Sequence, residues 1–376
     1  MKILYVCDAL AIYGGLERVI IEKANWLVEH GGYEVYLLTV NQGNHQICFP
    51  LHPNVTYNDL KVQFYQQYHF PTWKRFFLSG KLHRLFRKRM EGFIKTYVPD
   101  IIVCTRLDYV SDIIRIKGNI PLVFESHSSR LSSRYEGDGL FRRLHIMFLQ
   151  LAVKKVEMVV ALTNGDANEW RKLTPKVCVI PNVVHLNKSG SYSDCTTKSV
   201  IFVGRFSKQK DIGSLLRIWT LVHQRYPDWW LHIYGGYGEE QTGLQTEIKQ
   251  MDANIQVHES TSDMIEKYKK SSILLMTSIY EPFGLVLPEA MSCGLPVVSF
   301  DCPFGPFDII TDGADGFLIK VGNMNEFVEK VCLLMGNLNL RVIMGKAGIL
   351  SSERYDFNCI MPLWNHLFYQ LLNHSD

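Results

Sequence analysis

Two carboxylates in one apolar, glycine-punctuated stretch are the first residues whose spacing suggests chemistry. The segment YEPFGLVLPEAMSCGLPVV, residues 280 to 298, carries Glu281 and Glu289 with seven residues between them. It follows a strand-like run, ILLMTS, and GLVLPEAMSCG predicts a short helix closed by Gly294, with Pro288 tolerated in its first turn. Glu281 then precedes the helix and Glu289 lies in its early turns, on different sides of one helix N-terminus. A diphosphate bound at that terminus would be bracketed by them. Carboxylates accept hydrogen bonds from hydroxyls, and a sugar nucleotide carries hydroxyls on both sides of its diphosphate, on the sugar and on the ribose. The competing reading is structural: Glu289 matches the helix dipole and Glu281 caps the helix.

A second constellation supplies positive charge. VIFVGR ends on Gly204 and Arg205, and Lys210 follows in GRFSKQKD just before another helical pattern. From one loop the two cations suit a diphosphate, Arg as a fork and Lys as a point charge; alone, solvated surface charge is the better reading, and Gly204 before Arg205 tips it toward the diphosphate. Near the N-terminus, YGGLERV places Gly14 and Gly15 between a strand and its helix. That pair lets backbone approach a ligand at a helix N-terminus, or makes a tight turn and nothing more.

The elements that must position these residues alternate. KILYVCD reads as a strand, and GGLERVIIEKANWLVEH puts Leu16, Val19, Ile20, Ala24, Leu27 and Val28 on one helical face. GGYEVYLLTV is a second strand, and DIIVCT, IPLVFES, MVVALT and KVCVIPNVV extend the series. After a polar, Ser/Thr/Gly-rich stretch the alternation starts again: VIFVGR, DIGSLLRIWTLVHQRY, WWLHIYGG, EEQTGLQTEIKQM, IQVHE, SDMIEKYKKS, ILLMTS and LPVVSF. The fold class is α/β, with two doubly wound, Rossmann-like parallel-sheet domains facing a cleft. Domain boundaries fall at residues 1–184, a linker at 185–199, a second domain at 200–355, and a closing helix at 356–376 that packs back on the first domain.

A chain of 376 residues, 47% apolar and 20% charged with net charge +3, suits two ordinary globular domains and carries no global basic field for nucleic acid. Nine scattered cysteines without a C-x-x-C pair read as reduced core thiols of a cytoplasmic protein. MKILYVCDAL is too short an apolar run for a signal sequence and reads as a first strand. No run is long and apolar enough to span a membrane.

The segments EPFGLVLPEAMSCGLPVV, FVGRFSKQK, HIYGGYGEE and YGGLERV together resemble the retaining family 4 glycosyltransferases of the two-domain B-type (GT-B) fold, over nearly the whole chain. The Glu-seven-Glu segment followed by GLPVV is the most specific part. The resemblance implies that Glu281 contacts the hydroxyls of the donor sugar and Glu289 the ribose, with Arg205 and Lys210 on the diphosphate. It also implies backbone contacts from Phe283, Gly284, Leu285 and Val286, and a donor-facing His127 in FESHS; a satisfied surface histidine is the alternative there. Two departures stand out: PNVV at residues 181–184 lacks the usual glycine, and Pro288 replaces an aliphatic residue. FDCPFGPFDIITDGADGFLI, residues 300–319, resembles a variant of members that build bacterial surface polysaccharides, with its Gly305-Pro306 turn near the donor sugar.

The chemistry then expected is transfer of a sugar from a nucleotide donor, a uridine diphosphate sugar, to a glycan or lipid-linked acceptor, with retention. The sequence has no Asp-x-Asp and no zinc-spaced His/Cys cluster, so neither metal nor cofactor is required; Arg205, Lys210 and a helix N-terminus would stabilise the leaving diphosphate. Rival readings are a sugar-nucleotide epimerase of the same fold, a non-catalytic nucleotide-sugar-binding subunit and, weakest, a nicotinamide oxidoreductase. Residues 62–98 interleave Trp73, Phe76, Phe77, Leu82, Leu85, Phe86 and Phe93 with lysines and arginines. They predict either a helix lying on an anionic membrane at the inner face of the cytoplasmic membrane or an ordinary amphipathic helix packed on the sheet.

Overall fold

The computed structural model describes residues 1–132, 139–235 and 241–373. The loop 236–240 of HIYGGYGEE lies outside the described residues, as do the side chains of Thr72, Phe76, Phe141, Gln241, Thr242, Leu244 and Gln245.

Two parallel sheets carry the fold. The first has seven strands, β1 (Lys2–Cys7), β2 (Glu34–Thr39), β3 (Thr56–Asp59), β4 (Ile101–Cys104), β5 (Leu122–Ser126), β6 (Met158–Ala161) and β7 (Val177–Val179), in the order β3-β2-β1-β4-β5-β6-β7. The second has six, β8 (Ser199–Gly204), β9 (Trp230–Gly235), β10 (Ile255–Glu259), β11 (Ile273–Met276), β12 (Val297–Asp301) and β13 (Gly316–Lys320), in the order β10-β9-β8-β11-β12-β13. Both are doubly wound, as the alternation predicts. Strand order reverses between β1 and β4 in one sheet and between β8 and β11 in the other, and ligands of open α/β sheets sit beyond the carboxyl ends of strands at such reversals. Sequence reading missed β3 and β13: TYND is too polar to signal a strand, and GFLIK opens on a turn-like glycine.

The central strands are buried on both faces, which is why they read as continuous apolar runs. The Gly15–Gly31 helix buries Val19, Ile20, Ala24 and Leu27, together with Lys23, and ends at Gly32, whose φ of 64° is the left-handed conformation glycine tolerates at a helix terminus. The last helix, Phe357–Asn373, returns to the first domain and buries Ile360, Met361, Trp364, Leu367 and Phe368 in one cluster with Ile3, Tyr5 and Leu27. Between the domains, Leu186, Asn187 and Cys195 are buried although the stretch around them is polar. Asn187 N–H donates to Ser292 Oγ over 3.0 Å, so this crossing segment is pinned to the second domain.

The basic, aromatic stretch 62–98 forms a helix over Thr72–Tyr97. Leu82, Phe86, Met90 and Phe93 are buried in the core of the first domain, so most of its apolar stripe serves packing. Trp73 and Phe77, near its start, are 65% and 73% exposed. Among the described residues no helix is long and apolar enough to cross a membrane, and no cluster of three or more His, Cys, Asp or Glu could hold a metal ion. The nine cysteines are free; most are buried, and Cys359 is an exposed exception to the core reading.

Candidate active site

The reversal between β8 and β11 joins two of the sequence constellations. The loop after β8 runs Arg205 to Lys210, and the loop after β11 runs Thr277 to Gly284. Thr277 Oγ1 donates to the Lys210 carbonyl over 2.9 Å, and Ile279 N–H to the Gln209 carbonyl over 2.9 Å. Lys210 Nζ then lies 2.5 Å from Glu281 Oε2, to which Ser278 Oγ also donates over 3.1 Å. The Lys210 and Glu281 side chains are 15% and 11% exposed, little enough for their attraction to outweigh solvent screening. Gly204 makes room for this pair: a Cβ there would sit 3.3 Å from three Lys210 side-chain carbons. Arg205, at the end of β8, is exposed and makes no ion pair or hydrogen bond among the described residues.

Glu281 is clamped from the other side by the FGP turn. Its N–H donates to the Pro303 carbonyl over 2.6 Å, and its carbonyl accepts from Phe304 N–H (3.1 Å) and Gly305 N–H (2.8 Å). Gly305 is obligatory here, since a Cβ would fall 1.7 Å from the Phe283 carbonyl oxygen. Phe283 is buried edge-on against Tyr355, ring centres 5.3 Å apart. Gly284 takes a φ of 99°, and Leu285 leads into the Val286–Ser292 helix. Pro288 sits in the first turn of that helix, where its missing N–H leaves no intrahelical bond unmade. In the PNVV segment, Val184 N–H is committed to the Tyr355 carbonyl over 3.0 Å.

Glu289 leaves the Lys210–Glu281 pair and faces the first domain. Tyr268 Oη donates to its Oε2 over 3.2 Å, and Arg18 Nη1 lies 3.9 Å from its Oε1. Burial raises its pKa to about 7, with Arg18 opposing the rise. Arg18 also donates to Glu22 over 3.0 Å, and His185 Nδ1 lies 3.5 Å from that same Glu22 oxygen. Arg18, Glu22 and His185 thus line the seam between domains. Sequence reading passed over them: Arg18 and Glu22 show only the ordinary i, i+4 signature of a helix surface.

The Gly14–Gly15 turn is already filled. A Cβ on Gly14 would lie 2.2 Å from Glu17 Oε2, so the Glu17 carboxylate rests over the turn that was expected to welcome an anion. Burial raises the Glu17 pKa, and the positive field of Arg205 across the cleft pulls it back down. A Cβ on Gly15 would lie 2.6 Å from Leu285 Cδ1, so Gly15 is the glycine that lets the Leu285 loop approach closely. His127 follows β5, but its ring turns inward: Nε2 is 3.1 Å from Glu125 Oε1 and the side chain is 6% exposed. The buried Glu125 also pairs with Lys23, whose ammonium stands 4.1 Å from the Trp364 ring centre. In this arrangement His127 belongs to a buried charge cluster, and the surface it offers to a donor is small.

Two parallel-sheet domains, with a cation–carboxylate pair at the strand-order reversal of the second, define a glycosyltransferase of the GT-B architecture. Two family models divide the chain between them, Glycosyltransferase Family 4 over residues 13–188 and Glycosyl transferases group 1 over residues 187–350. The chain belongs to the family 4 glycosyltransferases. It is 29% identical over 358 residues to an uncharacterised glycosyltransferase of Haemophilus influenzae, covering 93% of this chain and 95% of that one. It is likewise 29% identical over 385 residues to the amylovoran biosynthesis glycosyltransferase AmsD of Erwinia amylovora, covering 97% and 99%. Among solved structures, Staphylococcus aureus TarM, in a complex containing UDP, superposes with a TM-score of 0.79 at 16% identity over 98% of this chain and 99% of that one. Sucrose-phosphate synthase of Thermosynechococcus elongatus superposes with a TM-score of 0.82 at 18% identity over 99% of each. These two structures share the fold.

Proposed function

We propose that the protein transfers a sugar from a uridine diphosphate donor, with retention, to a glycan or lipid-linked oligosaccharide acceptor in surface polysaccharide assembly. The observation that carries this reading is the Lys210–Glu281 pair at the strand-order reversal, with the uncommitted Arg205 beside it. The similarity to AmsD, a protein of amylovoran biosynthesis, supports the polysaccharide part.

Lys210 has three donors and spends one on Glu281. The other two, with the Arg205 fork, meet the diphosphate and stabilise the charge that builds on it as the glycosidic bond breaks. Glu281 orients the donor sugar through its hydroxyls. Glu289 reaches the ribose from the seam side, and the Phe283–Val286 backbone lies along the phosphates and sugar. The acceptor hydroxyl attacks from the face the diphosphate leaves, and a donor phosphate oxygen takes its proton, so no protein base is needed and the anomeric configuration is kept. Neither a metal ion nor a cofactor takes part.

With a lipid-carried acceptor the enzyme works at the inner face of the cytoplasmic membrane. Of residues 62–98, the exposed Trp73 and Phe77 with Lys74, Lys81 and Arg84 are then the part nearest the bilayer.

The test is turnover of uridine diphosphate sugars with lipid-linked acceptors, read as diphosphate release and as the anomeric configuration of the product by NMR. Arg205→Ala and Lys210→Ala are each expected to lower kcat by roughly 100-fold or more while donor binding persists, and chelator is expected to leave the rate unchanged. Intact turnover in both variants sinks the leaving-group account. Inversion sinks retention, and interconversion of the donor alone would favour an epimerase.

A further inference from the structure

The Leu140–Ala152 helix leaves one apolar face uncovered. On its other side Gln150 is buried, as is Val153 just after the helix, and Gln150 Nε2 donates to the Arg130 carbonyl over 2.8 Å. This side packs beside the Leu107–Ile114 helix. On the opposite side Leu140, Leu144, Met147, Phe148 and Leu151 are 70%, 47%, 56%, 71% and 47% exposed. Their spacing, i, i+4, i+7, i+8 and i+11, draws one continuous stripe along the helix, about 17 Å long at 1.5 Å per residue. Exposed apolar residues scattered singly are ordinary, whereas a contiguous stripe of five marks a contact surface.

Along the helix and the turn that follows it the charge has one sign. Between Gly139 and Val156 the sequence GLFRRLHIMFLQLAVKKV contains no Asp or Glu, and Arg143, Lys154 and Lys155 are exposed. We propose that this helix lies flat on an anionic lipid surface, its stripe sunk into the headgroup boundary and its cations on lipid phosphates. Pairing of the stripe with a second copy of the chain would bring two sets of the same cations together, which charge complementarity disfavours. This surface is distinct from Trp73 and Phe77. It also stands or falls apart from the transfer reaction, because it is measured without donor or acceptor.

The experiment is flotation of the full chain with vesicles of phosphatidylcholine alone and of phosphatidylcholine mixed with phosphatidylglycerol, at low and high salt. The wild type is expected to float with the mixed vesicles, less so at high salt. Met147→Asp/Phe148→Asp should lower the partition coefficient about tenfold or more. Arg143→Glu/Lys154→Glu/Lys155→Glu should abolish the preference for anionic lipid while Trp73→Ala keeps it, and thermal unfolding confirms that each variant folds. Should the aspartate variant fail to fold, the charge-reversed one carries the test. No flotation of the wild type, flotation unchanged in the charge-reversed variant, or a wild-type dimer that the aspartate pair converts to monomer would each overturn the proposal.

Discussion

Gly305→Ala is the sharpest single-atom perturbation this fold offers. The added methyl would begin 1.7 Å from the Phe283 carbonyl oxygen, a backbone atom, whereas Cβ contacts under 3.0 Å essentially never occur. The 303–305 turn and the 281–284 loop must therefore separate by about 1.3 Å, the difference between those distances. They are tied by three backbone hydrogen bonds of 2.6, 3.1 and 2.8 Å, all to Glu281. Stretching the three at roughly 0.5–1.5 kcal/mol each gives a stability loss of about 2–4 kcal/mol. For a domain of this size that is a fall of roughly 5–10 °C in Tm. The larger effect falls on chemistry, because Glu281 holds Lys210 and a displacement near 1 Å at a positioning group costs about 100-fold in rate. Thermal unfolding and diphosphate release, measured side by side, check both numbers. Gly80→Ala is the control, an exposed position in the Thr72–Tyr97 helix where a Cβ meets nothing within 4 Å; it should stabilise by about 0.5–1 kcal/mol. If Gly305→Ala keeps wild-type Tm and turnover, the two loops do not brace each other and the reasoning from that contact fails.

Three further outcomes are expected. Glu289, raised from the ordinary carboxyl value of 4.5 to about 7, is held protonated by folding; its contribution is full below about pH 4.5 and is lost as pH rises through 7. The wild type should therefore lose up to about 3 kcal/mol relative to Glu289→Gln between those pH values, and a flat difference in urea midpoints would refute it. Glu125 is pushed up by burial, but Lys23 and then His127 hold it at about 2. Lys23→Met strands that carboxylate and should cost roughly 3–5 kcal/mol, whereas Lys23→Met/Glu125→Gln should cost less than the single change; additive losses in a double-mutant cycle would show the pair to be uncoupled. Trp364→Ala, which removes the ring beneath Lys23 and a buried anchor of the last helix, should cost about 3–5 kcal/mol, and near-native stability by urea unfolding would show that this helix is only loosely docked.

Much of the architecture was legible because strands buried on both faces must be apolar throughout, and helices that cover them must show a 3.6-residue period. These rules pick out β1, β8 and β11 and place Gly14, Arg205, Lys210 and Glu281 after strands, where ligands of such sheets bind. They fail for β3 and β13, whose polar or glycine-led runs carry no such signature, and the alternation read from the sequence passes over the Leu140–Ala152 helix altogether.

What the chain order could not contain is who meets whom. Lys210 and Glu281 are 71 positions apart, and only the reversal of strand order between β8 and β11 makes them neighbours. Glu289 turns from Glu281 toward Arg18 because its helix presents it to the seam, and His127 turns inward to lie 3.1 Å from the buried Glu125. By itself the sequence determined the alternation, the two sheets and the residue types at the ends of their strands, since burial acts locally on each segment. The pairing of charges, the filling of the glycine turn by Glu17 and the stripe left bare on the first domain were decided by tertiary structure, because desolvation and Coulomb energy depend on distances that only the folded chain sets.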